Sequence, residues 1–236
     1  MTSWFQTLDD SLWLPPDEQG EEEAQFIRKA LALRIGQAVL DAPCGAGRIS
    51  YHLAVAGCKV AGVDMRPPFI ARAMERFRAA GLDGMFIPQD LRELSFDGEF
   101  DAVFNWHGSF GYFSEAENAD LVARYCRALH TGGKLLIEQR NREWILRNFR
   151  SRKAYGTVEL HTHWVAKTQR VATRWIVDGV SSAGNRSSMR LYTPRQMQAL
   201  LERNGMQMEA VYGSREGDPF SRMSPRMIVV GRKLPR

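Results

Sequence analysis

Val39-Leu40-Asp41-Ala42-Pro43-Cys44-Gly45-Ala46-Gly47, together with Ala61-Gly62-Val63-Asp64 ending 23 residues beyond Asp41, is the stretch whose reading decides the fold. An apolar run enters a glycine turn, helical spacing follows at Ile49 and Leu53, and a second apolar run stops at a carboxylate. The order strand, turn, helix, strand is the unit of a parallel sheet. Glycine lets the backbone approach a ligand with no Cβ between them, and an acid roughly 20 residues on can accept both ribose hydroxyls of a nucleoside. The pattern implies an adenosine-type ligand.

Asp41 chooses among such ligands. A pyrophosphate laid against this turn would meet a carboxylate where the helix N-terminus should attract it. S-adenosylmethionine has no phosphate and carries an ammonium and a sulfonium. Asp41, Gly45, Gly47 and Asp64 at this spacing resemble the first motif of class I S-adenosylmethionine-dependent methyltransferases. The resemblance implies S-adenosylmethionine as cofactor, with Asp41, Ala42, Pro43, Gly45 and Gly47 around its amino-acid tail. It places Asp64 at the ribose, Met65 on a face of the adenine, and Asp90 and Leu91 at the adenine edge, with Gln89 beside them and Asn105 after the fourth strand. Pro43 stands where the family often has glycine; it fixes φ and removes a donor, so the loop should differ locally.

The chain of 236 residues is long enough for one good core, and 44% hydrophobic with 25% charged residues describes a globular protein. No apolar stretch is long enough to span a bilayer, and Met1-Thr2-Ser3-Trp4-Phe5 has neither the basic segment nor the apolar run of a signal peptide, so a cytoplasmic location is expected. Cys44, Cys58 and Cys126 cannot all pair within one chain and match no zinc module; free thiols and no metal are expected. The net charge of +5 hides a polarity. Residues 1–138 hold 13 Lys and Arg against 20 Asp and Glu; residues 139–236 hold 19 against 7. Either an anionic partner or an arginine-rich solvated surface accounts for the basic half.

The whole chain reads as one methyltransferase domain, a doubly wound α/β fold with a mostly parallel seven-stranded sheet and an inserted antiparallel β-layer. Residues 1–20 are expected to form an N-terminal lid carrying Trp4, Phe5, Leu8, Trp13 and Leu14. Residues 37–140 form the cofactor-binding core, with strands at 59–64, 85–88, 100–105 and 134–138. Pro67 and Pro68 start one helix, and Ser114-Glu115-Ala116-Glu117 is a capping box that starts another, running to Thr131. In 142–192 the alternation of Val171, Thr173 and Trp175 with Ala172, Arg174 and Ile176 predicts the antiparallel layer. Residues 193–236 supply a closing helix, capped by Thr193-Pro194-Arg195-Gln196, and strands at 206–212 and 227–231.

Ligands of such sheets gather at the carboxyl ends of the strands, where Asp41, Asp64, Asp90, Asn105 and Glu138 stand. Asn105-Trp106-His107-Gly108-Ser109-Phe110-Gly111-Tyr112-Phe113 resembles a segment of small-molecule methyltransferases, glycine N-methyltransferases among them, and not the Asn-Pro-Pro-Tyr signature used on extruded bases. His107 and Tyr112 are the catalytic candidates, and Ser109, Tyr112, Glu138 and Arg140 the substrate-binding ones. His161 and His163, two apart on a strand, share a face but have no evident third ligand. The expected reaction is methyl transfer to N or O of a small acceptor, anionic or carboxylate-bearing, by direct displacement. An RNA or protein methyltransferase and a non-catalytic cofactor-binding protein are the alternatives.

Overall fold

The computed structural model describes residues 19–181 and 185–235. The N-terminal aromatic segment Trp4 to Leu14, read above as a lid, lies outside them.

Helix α1 (Gly20–Leu31) precedes β1 (Ala38–Asp41), α2 (Arg48–Val55), β2 (Lys59–Asp64), α3 (Pro67–Ala79), β3 (Gly84–Pro88), β4 (Phe100–Asn105), α4 (Glu115–Ala128) and β5 (Leu129–Arg140). An insertion follows: α5 (Arg142–Arg147), then β6 (Arg152–Tyr155), β7 (Val158–Val165), β8 (Arg170–Val177) and β9 (Arg186–Arg190). Helix α6 (Pro194–Glu202), β10 (Met206–Tyr212) and β11 (Arg226–Lys233) complete the core.

The main sheet has the order β10-β11-β5-β4-β1-β2-β3. β11 runs antiparallel to both of its neighbours, β5 and β10, and the remaining neighbours are parallel. Strand order reverses between β1 and β4, the switch point at which this architecture opens a crevice. Alternation along each strand fills two cores. Val39, Phe104, Leu136, Ile228 and Val230 pack with Ile27 of α1, Leu53 of α2 and Phe77 of α3; Leu40, Val103, Leu135, Ile137 and Val229 pack with Leu121 and Tyr125 of α4 and Met197 and Leu201 of α6. Both capping boxes form, at Ser114 and at Thr193, each with its side-chain oxygen accepting from the backbone N–H three residues on.

Helix α4 ends at Ala128, not Thr131, and β5 begins at Leu129, not Lys134. Leu129 already pairs with Phe100, and the register with β4 resumes only at Ala102 with Lys134, so His130 to Gly133 loop out between them. The turn residues are real, but they make an irregularity within a strand. Helix α5 and strand β6 were not anticipated. Asn141 starts α5 by accepting from the Glu143 N–H at 3.0 Å, while its own amide donates to the Ser224 carbonyl at 2.8 Å.

The insertion forms a four-stranded antiparallel sheet in the order β6-β7-β8-β9. It is bolted to the core. The Arg170 guanidinium donates to the carbonyls of Gly111 and Phe113 at 3.0 and 2.8 Å, and the buried Gln139 amide donates to the Arg190 carbonyl and accepts from the Tyr192 N–H. No helix among the described residues is long and apolar enough to cross a membrane.

Gly62 shows how tightly β2 is packed. A Cβ there would lie 2.6 Å from Phe86 and 2.9 Å from Cys44 Sγ. Gly62→Ala is therefore expected to cost about 1–3 kcal/mol by overpacking, read from urea unfolding; an unchanged midpoint and slope would contradict this packing.

Candidate active site

The carboxyl end of β1 supplies Asp41 and that of β2 supplies Asp64. Asp41 pairs with Gly62 in the sheet. Asp64 therefore stands two residues, roughly 6–7 Å, farther along the crevice. Asp64 is oriented by two amides: Gly45 N–H donates to Oδ2 at 3.0 Å and Arg66 N–H to Oδ1 at 2.9 Å. Each oxygen keeps a further lone pair for a hydroxyl. Burial raises the Asp64 pKa against those two bonds. Asp41 is almost wholly buried and accepts from Ser50 Oγ at 2.7 Å. Burial, with the neighbouring Asp64 charge adding to it, lifts Asp41 to about 8 despite that bond. Burial thus favours the protonated form of Asp41, and a cationic ligand group beside it would favour the charged one.

Gly45 and Gly47 both have positive φ, at 53° and 70°. At Gly47 a Cβ would press on Ala73 Cβ at 2.9 Å, so the close approach of α2 to α3 demands glycine; at Gly45 it would meet nothing within 4 Å and would stand in the hollow above the turn. That hollow, between two carboxylates and beside a glycine backbone, fits the polar tail and ribose of S-adenosylmethionine. Pro43, which follows a cis peptide bond, lines it too, as do Met65, Asp90 and Leu91.

Other expected cofactor residues sit elsewhere. Ala42 is fully buried beneath the turn, and its carbonyl accepts from Asn105 Nδ2 at 2.9 Å and from the Tyr125 hydroxyl at 2.8 Å. Asn105 is a brace under the first loop and does not line the cavity; its amide nitrogen donates to that carbonyl and, at 2.9 Å, to the Tyr125 hydroxyl. Gln89 donates to the Glu93 carbonyl at 3.1 Å and lies outside the cavity wall. Asp90 lines the cavity but is held by Arg92, with Nη2 at 2.7 Å from Oδ2 and the backbone N–H at 2.9 Å from Oδ1. Although burial opposes it, Arg92 keeps the Asp90 pKa low.

His107 and Glu138 belong to a charge cluster. His107 Nε2 lies 2.7 Å from Arg48 Nη2 and 3.1 Å from Glu23 Oε2, and its Nδ1 lies 3.3 Å from Arg215 Nη2. Both ring nitrogens thus face protein groups, and the imidazole, although it borders the cavity, ties α1, α2 and the β10–β11 loop together instead of waiting for an acceptor proton. Burial works against ionising Glu23, but His107, Arg215 and Arg48 hold its pKa down to about 2. Glu138, fully buried, accepts from the His107 N–H at 2.7 Å and pairs with Arg226 and Arg215. It carries the strand-four loop and not a substrate. Arg215 also lies over Trp106, 5.3 Å from the ring centroid.

Ser109, Tyr112 and Arg140 do line the cavity. Its volume of about 1480 Å³ exceeds the roughly 300–1,000 Å³ of a site for one small molecule, leaving room for two. One face of the antiparallel sheet makes the far wall: Leu160 and Thr162 of β7, Val171, Thr173 and Trp175 of β8, and Met189 of β9. That face is the one the alternation in β8 predicts. Trp144, Ile145 and Phe149, from α5 and the turn after it, were missed, since six helical residues give no periodicity to read. Every acid on the wall, Asp41, Asp64, Glu75 and Asp90, precedes residue 91; beyond residue 138 the charged lining groups are Arg140, Arg150 and Lys153. Arg48, Arg66, Arg72 and Arg76 share the wall with those four acids, so the part of the lining beyond residue 138 is the one with cations and no acid.

Comparison with known proteins agrees with this geometry. A family model described as a methyltransferase domain matches residues 39–133. Over 133 residues the chain is 32% identical to a glycine/sarcosine N-methyltransferase from Halorhodospira halochloris, a match covering 55% of this chain and 50% of that enzyme. Two solved structures share the fold. The CcbJ methyltransferase from Streptomyces caelestis gives a TM-score of 0.76 at 18% identity, over 96% of this chain and 98% of that one. An amino pentose methyltransferase from Micromonospora echinaspora with S-adenosylmethionine bound gives 0.65 at 18%, over 99% and 98%. The chain spans about half, or less, of the length of the curated relatives it matches. Residues 39–133 thus match a methyltransferase domain, and the chain shares the fold of S-adenosylmethionine-dependent methyltransferases.

Asp64→Ala removes two acceptors whose charge-assisted bonds are worth about 1.5–3 kcal/mol each before water compensates. Calorimetry with S-adenosylhomocysteine should show at least a tenfold loss of affinity in a variant that still unfolds cooperatively; unchanged affinity would place the ribose elsewhere.

Proposed function

We propose that this protein transfers a methyl group from S-adenosylmethionine to a nitrogen or oxygen of a small anionic acceptor by direct displacement. The observation that carries this reading is the cavity of two-ligand size, with the glycine turn on one side and the antiparallel layer on the other. The cofactor, when bound, supplies a sulfonium-activated methyl. The chain's own contribution is alignment, which supplies roughly 7–11 kcal/mol in favourable cases, and no covalent intermediate is needed.

Asp64 holds the ribose and Asp41 the amino-acid ammonium. Ser109, Tyr112 and Arg140 hold the acceptor. Burial raises the Tyr112 pKa, with the Arg140 charge acting the other way, so the phenol stays protonated and acts as a donor. The cationic wall disfavours a protonated amine and favours an uncharged amine or an oxyanion, the forms that attack a methyl. A carboxylate on the acceptor would pair with Arg140.

Tyr112→Phe and Arg140→Gln should each lower kcat/KM at least tenfold while affinity for S-adenosylhomocysteine changes less than twofold; equal losses in both would remove these residues from the acceptor. Incubation with methyl-labelled cofactor and fractionated cell extract tests the acceptor class, and label should appear in the small-molecule fraction. Label retained on RNA or protein would favour a macromolecular substrate.

Asp41 predicts a proton linkage. Its pKa is about 8 in the free site, and an ammonium beside it lowers that value. Binding therefore releases a proton below pH 8, and affinity rises with pH toward that value, above which loss of the ligand's own ammonium proton opposes binding. Calorimetry at pH 7 in buffers of different ionisation enthalpy should show the release in the natural protein and lose it in Asp41→Asn; buffer-independent heats would contradict the assignment.

A further inference from the structure

A second hollow of about 750 Å³ adjoins the main cavity and shares Trp144, Phe149, Arg150, Lys153 and Tyr155 with it. Arg147 and Arg152 complete its cationic wall, so four positive side chains fall within seven residues of α5, β6 and the turn between them. No acid lines this hollow. The nearest acids in sequence are committed elsewhere, Glu143 to Arg142 at 3.0 Å and Glu159 to His161 at 2.7 Å. Arg150, Arg152 and Lys153 make no ion pair with any described residue, while Arg147 lies on Met223 Sδ. β6 is also an edge strand of its sheet, with one neighbour, so the cations stand at the open rim of the layer that covers the acceptor side.

We infer that this collar binds a phosphate ester, so that the acceptor carries a phosphate at the end remote from the methylated atom. The inference rests on the methyltransferase reading above and names its substrate class more closely. Like charges crowded into one stretch repel, and a concave wall with no acid of its own is relieved by an anion entering from outside. One carboxylate offsets one of the four cations. A phosphate monoester, with a second pKa near 6 and a charge of about −1.5 to −2 at pH 7, offsets more, and its oxygens match the guanidinium fork. Trp144, Phe149 and Tyr155 give the body of the ligand an apolar path from the rim into the cavity.

The test uses phenyl phosphate and benzoate, titrated by calorimetry into the full chain saturated with S-adenosylhomocysteine. Phenyl phosphate should bind at least tenfold more tightly than benzoate, and more tightly at pH 7.5 than at pH 5.5 as the second ionisation completes. Arg150→Gln combined with Lys153→Gln should weaken it at least tenfold and leave S-adenosylhomocysteine affinity within twofold. Equal affinity for the two probes, or an unchanged affinity in the double variant, would overturn the proposal. So would a single-stranded RNA oligomer that binds the collar more tightly than phenyl phosphate, since the surface would then serve a nucleic acid. Phenyl phosphate held at the collar of a protein that fails to bind S-adenosylhomocysteine would uphold the collar and overturn the methyltransferase reading.

Discussion

The hydrogen bond from Gly45 N–H to Asp64 Oδ2 fixes the turn after β1 to the end of β2, and the rest of the site depends on it. It joins two neighbouring strands at their carboxyl ends, holds the glycine backbone open, and sets the Asp64 carboxylate in one orientation. Two acids buried side by side cannot both ionise cheaply, and the protein resolves this on Asp41, whose pKa burial lifts to about 8. Such a pair suits a ligand that brings positive charge to Asp41 and neutral hydroxyls to Asp64. A pyrophosphate satisfies neither demand.

Around that junction the protein separates support from contact. Asn105 and Tyr125 brace the Ala42 carbonyl from below. Glu23, Arg48, His107, Arg215, Glu138 and Arg226 form a charge cluster that ties the N-terminal helix and the β10–β11 loop to the segment after β4. Removing one partner from so buried a set leaves an uncompensated charge, so the cluster acts as a unit. Through the His107 N–H, Glu138 reaches the segment that carries Ser109 and Tyr112. The antiparallel layer is fixed over them by Arg170 and Gln139, which bind backbone carbonyls.

Much of this was legible in the chain. Strands β2, β4 and β10 lie where their apolar runs predict, and both capping boxes form. The failures share a physical cause. Asn105, Gln89 and Glu138 follow strands as site residues do, yet each is turned to a protein partner, a choice made by contacts distant in sequence. His107 has the side chain of a base, but its partners Glu23 and Arg215 come from opposite ends of the chain, and no local pattern announces them. Helix α5 is too short to show periodicity, and its importance appears only because Trp144 and Ile145 line the same cavity as β7 and β8. The alternation of Val171, Thr173 and Trp175 did show the layer, because a half-buried strand must alternate wherever it packs.

The proposed methyl transfer requires one cavity that holds the cofactor against the glycine turn with its sulfur facing the antiparallel layer. A crystal structure with S-adenosylhomocysteine tests this most directly. It should show both ribose hydroxyls on Asp64, the amino group at Asp41, and the sulfur opening toward Tyr112 and Trp175. A ligand whose sulfur faces bulk solvent, or whose adenosine avoids Asp64, would contradict it.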